Sequence, residues 1–236
     1  EDEHGKPFFT DNPVNRISHT QAWTPEIRRK TILRASELPI WIQAVDELRT
    51  SDESHIDESP ALVADYLEFC LFSGLRRDDA LLLRWNQIEL DAALMHPVIH
   101  KKQKEVITLP LSDYLITILK RRKQVQVNEY VFSGRGGDGR FDDPKRQIAK
   151  VVKQSGIKFS SHDLRRTFIS VAESLDISTY AIKRLCTHSL GSDVTAGYIQ
   201  MDVERLRAPM QKITDYFLKA MGKTATADIV TLLKQG

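Results

Sequence analysis

The chain is predicted to be mainly α (α+β): a helical domain carrying one small antiparallel β-sheet in its first half. Three observations predict this. Apolar residues recur at helical spacing through most of the 236 residues. Short strand-like runs are confined to the region from about residue 88 to 109, with one more at 130–134. From Ser161 onward the pattern is almost wholly helical.

Taken in order, Ser36 is placed to cap a helix through about Arg49, with Leu38, Trp41, Ile42, Val45 and Leu48 on one stripe. The polar stretch TSDESHIDE reads as a loop. Ser59-Pro60 supplies the cap and first turn of the next helix, whose Leu62, Tyr66, Phe69 and Cys70 face a core and which Gly74 ends. A short helix over Arg77–Leu83 leads into strands at Ile88–Leu90, Val98–His100 and Glu105–Leu109. Ser112 caps another helix, YVFSG (130–134) reads as a strand before a Gly-rich loop at 134–139, and Asp143-Pro144 opens a helix to about Gln154. Further helices are expected near Ser161, Ser178, Asp202 and Thr226, with a short one at Asp193–Ile199. The opening residues, Glu1 to Ser18, show little periodicity and read as a linker that follows a separate domain.

Hydrophobic residues make up 41% of the chain, which excludes disorder as its overall state. No apolar run approaches the roughly 20 residues of a membrane-spanning helix, and no signal-peptide pattern is visible. Two cysteines, Cys70 and Cys186, both in apolar helical contexts, argue against a disulfide framework or a Cys-rich zinc site and for a reducing compartment. The net charge of +2 hides an asymmetry. Residues 1–100 carry 10 basic and 18 acidic side chains, whereas residues 101–158 carry 14 and 6. That basic middle is a candidate polyanion-facing surface, although charge alone equally fits a solvated face.

Four places could carry chemistry, and each has an ordinary structural explanation beside it. Gly74-Leu75-Arg76-Arg77 sets two arginines just past a helix end, where carbonyl groups favour cations. His162 and Arg165 stand three apart at a helix N-terminus, on one face and in a field suited to phosphate, or else as a cap beside a surface arginine. Lys101, Lys102 and Lys104 lie at an expected hairpin, where lysines also serve to protect sheet edges. His188 ends a helix and Tyr198 follows ten residues later, where a lone tyrosine is commonly half-buried core. Together they suggest phosphodiester chemistry. Arginines grip non-bridging oxygens through charge-assisted bonds and offset the charge of a five-coordinate transition state. A phenol can attack phosphorus to form an ester. At its ordinary pKa of about 10 only roughly one phenol in a thousand is ionised at neutral pH, so nearby cations or a base are needed.

The order of these residues closely resembles the catalytic domain of the tyrosine recombinases, the phage-integrase family, and most of all the integrases of prophages and genomic islands. The resemblance runs from about Ile17 to Asp202 and is carried by SGLRRDDALLLRW (73–85), KQKEVITLPLS (102–112), SHDLRRTF (161–168) and LCTHSLGSDVTAGYIQMD (185–202). It implies Arg76 and Arg165 as the phosphate-binding arginines, His162 as general base and hydrogen-bond partner of the tyrosine, and Lys102 as the acid that protonates the departing 5′-hydroxyl, with Lys101 as the alternative. It further implies His188 as a contact to the scissile phosphate and Tyr198 as the nucleophile. Two positions depart from the family's habit: Asp79, a supporting residue where glutamate is usual, and Cys186-Thr187, where Leu-Gly is common and whose turn is therefore expected to be less glycine-like.

The resemblance implies a domain plan of linker at 1–16, following a missing core-binding domain, catalytic domain at 17–202, and helical tail at 203–236. That tail, with Ile229, Val230, Leu232 and Leu233, would dock on a neighbouring protomer or pack back on its own domain. The implied activity is site-specific strand exchange on double-stranded DNA attachment sites through a 3′-phosphotyrosyl intermediate, for integration or excision of a mobile element, with no cofactor and no metal ion. Implied partners are a homotetramer assembled on DNA from free monomers and a directionality factor, with no membrane; the implied location is bacterial, cytoplasmic and nucleoid-associated. Two alternatives stay open: type IB topoisomerase-like relaxation, and a catalytically inactive DNA-binding accessory protein. A His-based metal hydrolase lacks its carboxylate and HExxH patterns.

Overall fold

Leu38–Thr50 (α1) is amphipathic, and its buried residues are Leu38, Trp41, Ile42, Ala44, Val45 and Leu48. It starts later than the Ser36 cap anticipates. Residues 35–37 form a turn in which the Glu37 carboxylate accepts the Arg34 N–H at 2.7 Å, so Glu37 takes the N-cap position. The computed structural model describes residues 31–51, 59–99, 105–134, 139–141, 144–187 and 203–223, all in one unit that begins at Thr31.

Pro60–Ser73 (α2) is buried on nearly every side, the pattern of a central helix rather than of a single apolar stripe. Pro60 pre-sets the first turn, and Gly74 ends the helix in the left-handed conformation at φ +64°. Arg77–Leu81 (α3) and the 3₁₀ turn Trp85–Gln87 follow. Around α2 pack α1, Asp113–Gln124 (α4), Ser161–Ser174 (α6) and Glu204–Ala220 (α8). Lys145–Ser155 (α5) lies on α1, and Thr179–Leu185 (α7) joins α6 to α8. The Ser112 and Ser178 hydroxyls accept the Leu115 and Ala181 N–H groups, as caps should. At α6, Ser160 and Asp163 form a reciprocal capping box.

The small antiparallel sheet is three-stranded, in the order β1 (Ile88–Glu89), β2 (Leu94–Met95), β5 (Leu109–Pro110), with Ile88 opposite Met95 and Met95 opposite Leu109. A separate two-stranded ladder pairs β3 (Val98–Ile99) with β4 (Glu105–Val106). The expected strand Glu105–Leu109 is therefore split. The register is unbroken from Leu94↔Pro110 to Ile99↔Glu105, but Pro97 has no N–H to give Ile107, so that pair keeps only the bond from the Ile107 N–H to the Pro97 carbonyl, 3.2 Å. Strand β2 is too short to leave a periodic signal. YVFSG forms no extended strand; it makes single bridges, Tyr130 to Arg84 and Ser133 to Arg140.

The helix Glu204–Ala220 seats Leu206, Met210, Ile213, Phe217 and Leu218 in the core of its own chain. The opening residues to Lys30, the lysines Lys101, Lys102 and Lys104, most of the Gly-rich loop, Asp143, the expected helix 193–199 and the segment with Ile229, Val230, Leu232 and Leu233 lie outside the described residues. Among those described, no helix is long and apolar enough to cross a membrane.

Candidate active site

Two helix ends and one helix start meet around a pair of arginines. The carboxyl end of α2 delivers Gly74, whose carbonyl accepts the Arg165 Nη1–H at 2.6 Å. Glycine is required there twice over: the left-handed φ suits no other residue well, and a Cβ would sit 2.5 Å from Cδ1 of the buried Phe168. Two residues on, Arg76 takes the N-cap position of α3 in extended backbone. Arg165 comes from the second turn of α6, one turn after His162. The carboxyl end of α7 supplies the third wall, Cys186 and Thr187.

The carbonyls of that third wall are where the arginines converge. Arg165 is almost fully buried, and its second amino group donates to the Cys186 carbonyl. Arg76, partly exposed, donates from Nη1 to the Thr187 carbonyl at 3.1 Å and to the Thr187 hydroxyl at 2.7 Å. Asp79 is buried, with Oδ2 3.7 Å from Arg76 Nη1, an ion pair longer than a hydrogen bond. The expectation of a less glycine-like turn at Cys186-Thr187 is not met. Thr187 adopts φ +52°, the left-handed region that glycine favours and that is a rare position for a β-branched residue.

The electrostatics follow from this geometry. Burial lowers the Arg165 pKa to about 10; the nearby Arg76 charge adds to the fall, while Cys186 and Asp79 oppose it. The group remains a cation at neutral pH, yet one whose charge is incompletely offset. His162 is exposed at the start of α6, and its pKa is also lowered, by partial burial first and then by the charge of Arg166, with Arg165 and Arg76 contributing. It therefore stands neutral at pH 7, able to accept a proton. Arg166 itself is tied to Asp163 at 3.3 Å. Burial pushes the Cys186 thiol up to about 11, so it is no nucleophile here.

Of the residues singled out from the sequence, Arg76, Asp79, His162 and Arg165 are thus gathered around one locus. Lys102, His188 and Tyr198 lie outside the described residues. The flanking strands β3 and β4 do pair antiparallel, so residues 100–104 connect the two strands of a hairpin. Sequence reasoning did not find the Gly74 carbonyl or the Thr187 hydroxyl as arginine partners; the first had a signal in the helix-ending glycine, the second only in its departure from the expected Leu-Gly. Among the described residues no group of three His, Cys, Asp or Glu side chains could hold a metal ion.

Comparison with known proteins places this architecture. An integrase from mycobacterium phage Brujita has a similar fold, with a TM-score of 0.57 and 15% identity over 90% of this chain and 67% of that one. A lambda integrase fragment (75–356), solved as a dimer bound to a COC′ core site, matches with a TM-score of 0.55 and 19% identity, covering 80% of this chain and 67% of its own. In sequence, the chain is 24% identical over 198 residues to the prophage integrase IntF of Escherichia coli (strain K12), a match that covers 81% of this chain and spans only 40% of that relative's length. The phage integrase family model matches residues 31–205, which takes in every element from α1 to α7 and the arginine pair between them. The chain belongs to the phage integrase family, and its fold is that of a tyrosine recombinase catalytic domain.

Proposed function

We propose that the chain is the catalytic part of a site-specific DNA recombinase that exchanges strands at the attachment sites of a mobile element. The observation that carries this reading is the arginine pair. Arg76 and Arg165 are brought to one place and oriented by carbonyl groups, and among the described residues no carboxylate lies within ion-pair distance of Arg165. Two guanidinium groups held so are suited to a phosphodiester, which supplies the missing negative charge.

In this reading the Tyr198 hydroxyl oxygen bonds to the scissile phosphorus as the bond from phosphorus to the 5′ oxygen breaks. The phenolic proton passes to His162, whose neutral state at pH 7 fits that task. Lys102 gives a proton to the departing 5′ oxygen. Arg76 and Arg165 hold the non-bridging oxygens, His188 adds a hydrogen bond to them, and Asp79 supports Arg76. The ester keeps the energy of the broken bond, so a 5′-hydroxyl of another strand can reverse the step. Exchange of two pairs of strands requires four protomers on two duplexes, in keeping with the lambda integrase dimer on its core site. Residues 1–16 would serve as an interdomain linker, 17–202 as the catalytic domain and 203–236 as a helical tail. A directionality factor and a nucleoid-associated, cytoplasmic location complete the proposal.

The test is a nicked duplex carrying the core of the element's attachment site, incubated with the chain and run on a denaturing gel. A covalent protein–DNA band is expected that survives EDTA and is lost in Tyr198→Phe. Persistence of the band in that variant would refute the assignment of the nucleophile. Absence of a band on attachment-site and supercoiled DNA alike would favour an accessory DNA-binding role.

A further inference from the structure

Thr187 has three features that are hard to reconcile with a residue that merely closes a turn. It is buried, with 1% of its surface exposed. It holds φ +52°, a left-handed conformation that a β-branched residue rarely adopts. And its hydroxyl makes the shorter of the two bonds to Arg76 Nη1, 2.7 Å against 3.1 Å for its carbonyl. Glycine would adopt this backbone without strain and keep the carbonyl bond, but it would lose the hydroxyl. Strain of this kind persists where the surroundings over-determine it, and such positions cluster at functional sites.

We propose that Thr187 is a positioning residue: its hydroxyl and carbonyl together take Arg76 Nη1 and fix the plane of the guanidinium, so that the Nε–Nη2 edge is presented to the scissile phosphate. The proposal rests on the reading of Arg76 as a phosphate-binding arginine. Arg76 is the less enclosed of the pair. Arg165 is enclosed and gripped at both amino groups by main-chain carbonyls, whereas Arg76 has a partly exposed side chain and its Asp79 contact is a long one. At 3.7 Å the Asp79 carboxylate is beyond hydrogen-bond reach of Arg76 Nη1 and leaves part of the orienting task undone. The Thr187 hydroxyl supplies a second fixed acceptor on the opposite side of the sequence, 111 residues away.

The experiment measures single-turnover formation of the covalent complex on the nicked attachment-site duplex, at saturating DNA, for Thr187→Val, Thr187→Gly and Thr187→Ser. A hydrogen bond to a charged group is worth about 1.5–3 kcal/mol, so loss of the hydroxyl is expected to slow cleavage by about 10- to 150-fold. Valine and glycine should both show that loss with duplex affinity changed less than about threefold, and serine should recover most of the rate. Thr187→Gly is the decisive variant, because relief of the left-handed strain should leave its melting temperature equal or higher while its cleavage is slow. A purely structural residue predicts the reverse, a glycine variant that is both stable and fast. In an Arg76→Ala background Thr187→Val should cost nothing further, since the group it orients is gone.

Glycine cleaving at the wild-type rate, or serine no better than valine, would overturn the proposal while leaving the site reading intact if Tyr198→Phe remains dead. A covalent band in Tyr198→Phe, or an Arg76→Ala variant of full activity, would instead remove the site reading and this inference with it.

Discussion

The molecule holds two clusters of arginines, built in opposite ways. In one, α1, α2 and α4 meet around Asp65 and Glu68, both buried on the central helix. Arg49 reaches Glu68 at 2.7 Å and Asp65 at 3.3 Å, Arg121 reaches Asp65 at 2.6 Å and Glu68 at 3.1 Å, and Lys223, just past α8, adds Asp46 at 3.0 Å. Tyr114 donates its hydroxyl to Glu68 at 2.9 Å. In the other cluster, Arg76 and Arg165 rest mostly on carbonyl dipoles, with Asp79 at 3.7 Å the one carboxylate near them among the described residues. The protonation behaviour follows the counter-charge that each buried guanidinium meets. Burial alone would weaken Arg49 and Arg121 as bases, but their carboxylates more than reverse it and both pKa values rise. For Arg165 burial prevails and the pKa falls, as it does for Arg122, whose contact to Asp65 is a long 3.7 Å. A cluster closed upon its own counter-charges holds a fold together; a cluster left short of negative charge is prepared to receive it from outside.

Removing Glu68 should break this contrast most severely. Glu68→Ala strands Arg49, Arg121 and Lys223 beside a buried vacancy and is expected to cost about 3–5 kcal/mol, read by urea unfolding. Its pH dependence has a definite sign. Burial would raise the Glu68 pKa, but Arg49, Lys223 and Arg121 hold it below the reference of 4.5, so its contribution is present above pH 4.5 and is lost as pH falls through the lower folded value. The wild type should lose stability on acidification through that range more steeply than Glu68→Gln does.

Arg76→Ala should do the opposite, changing stability by no more than about 1 kcal/mol while slowing covalent-complex formation by about 10²–10³. Equal effects of the two substitutions on stability would erase the distinction between the clusters. An added oxyanion sharpens it further. Sulfate at ten times its dissociation constant should stabilise the wild type by about 1.4 kcal/mol in thermal unfolding, and Arg76→Ala by much less. The smallest effect concerns His162. Its folded pKa lies below the reference of 6.5, so the folded state resists its protonation and stability declines as pH falls through 6.5. His162→Gln should flatten that slope slightly, in proportion to a side chain largely in contact with water.

The elements of the fold were largely legible because their signals are local. Pro60 and Gly74 bracket α2, Ser112 and Ser178 cap their helices, and the stripe of α1 matches its buried face. The misplacements have local causes too, a Glu37 turn that outcompetes Ser36 and a Pro97 that splits a strand. What stayed hidden was partner choice. Asp65 and Glu68 lie among apolar neighbours on α2, and nothing in that helix announces that four cationic side chains, Arg49, Arg121, Arg122 and Lys223, come to them from α1, α4 and the end of α8.

The candidates for reaction and the turns they share are written locally: His162 and Arg165 on one helix face, Arg76 behind a helix-ending glycine, in an order that marks the family. What those residues touch depends on how distant parts of the chain pack. Arg165 meets a carbonyl 91 residues before it, and Arg76 meets a hydroxyl 111 residues after it. Periodicity and capping act within a few residues, where backbone geometry sets the neighbours. Contacts across a hundred residues depend on how whole helices pack, and so on every side chain between them at once.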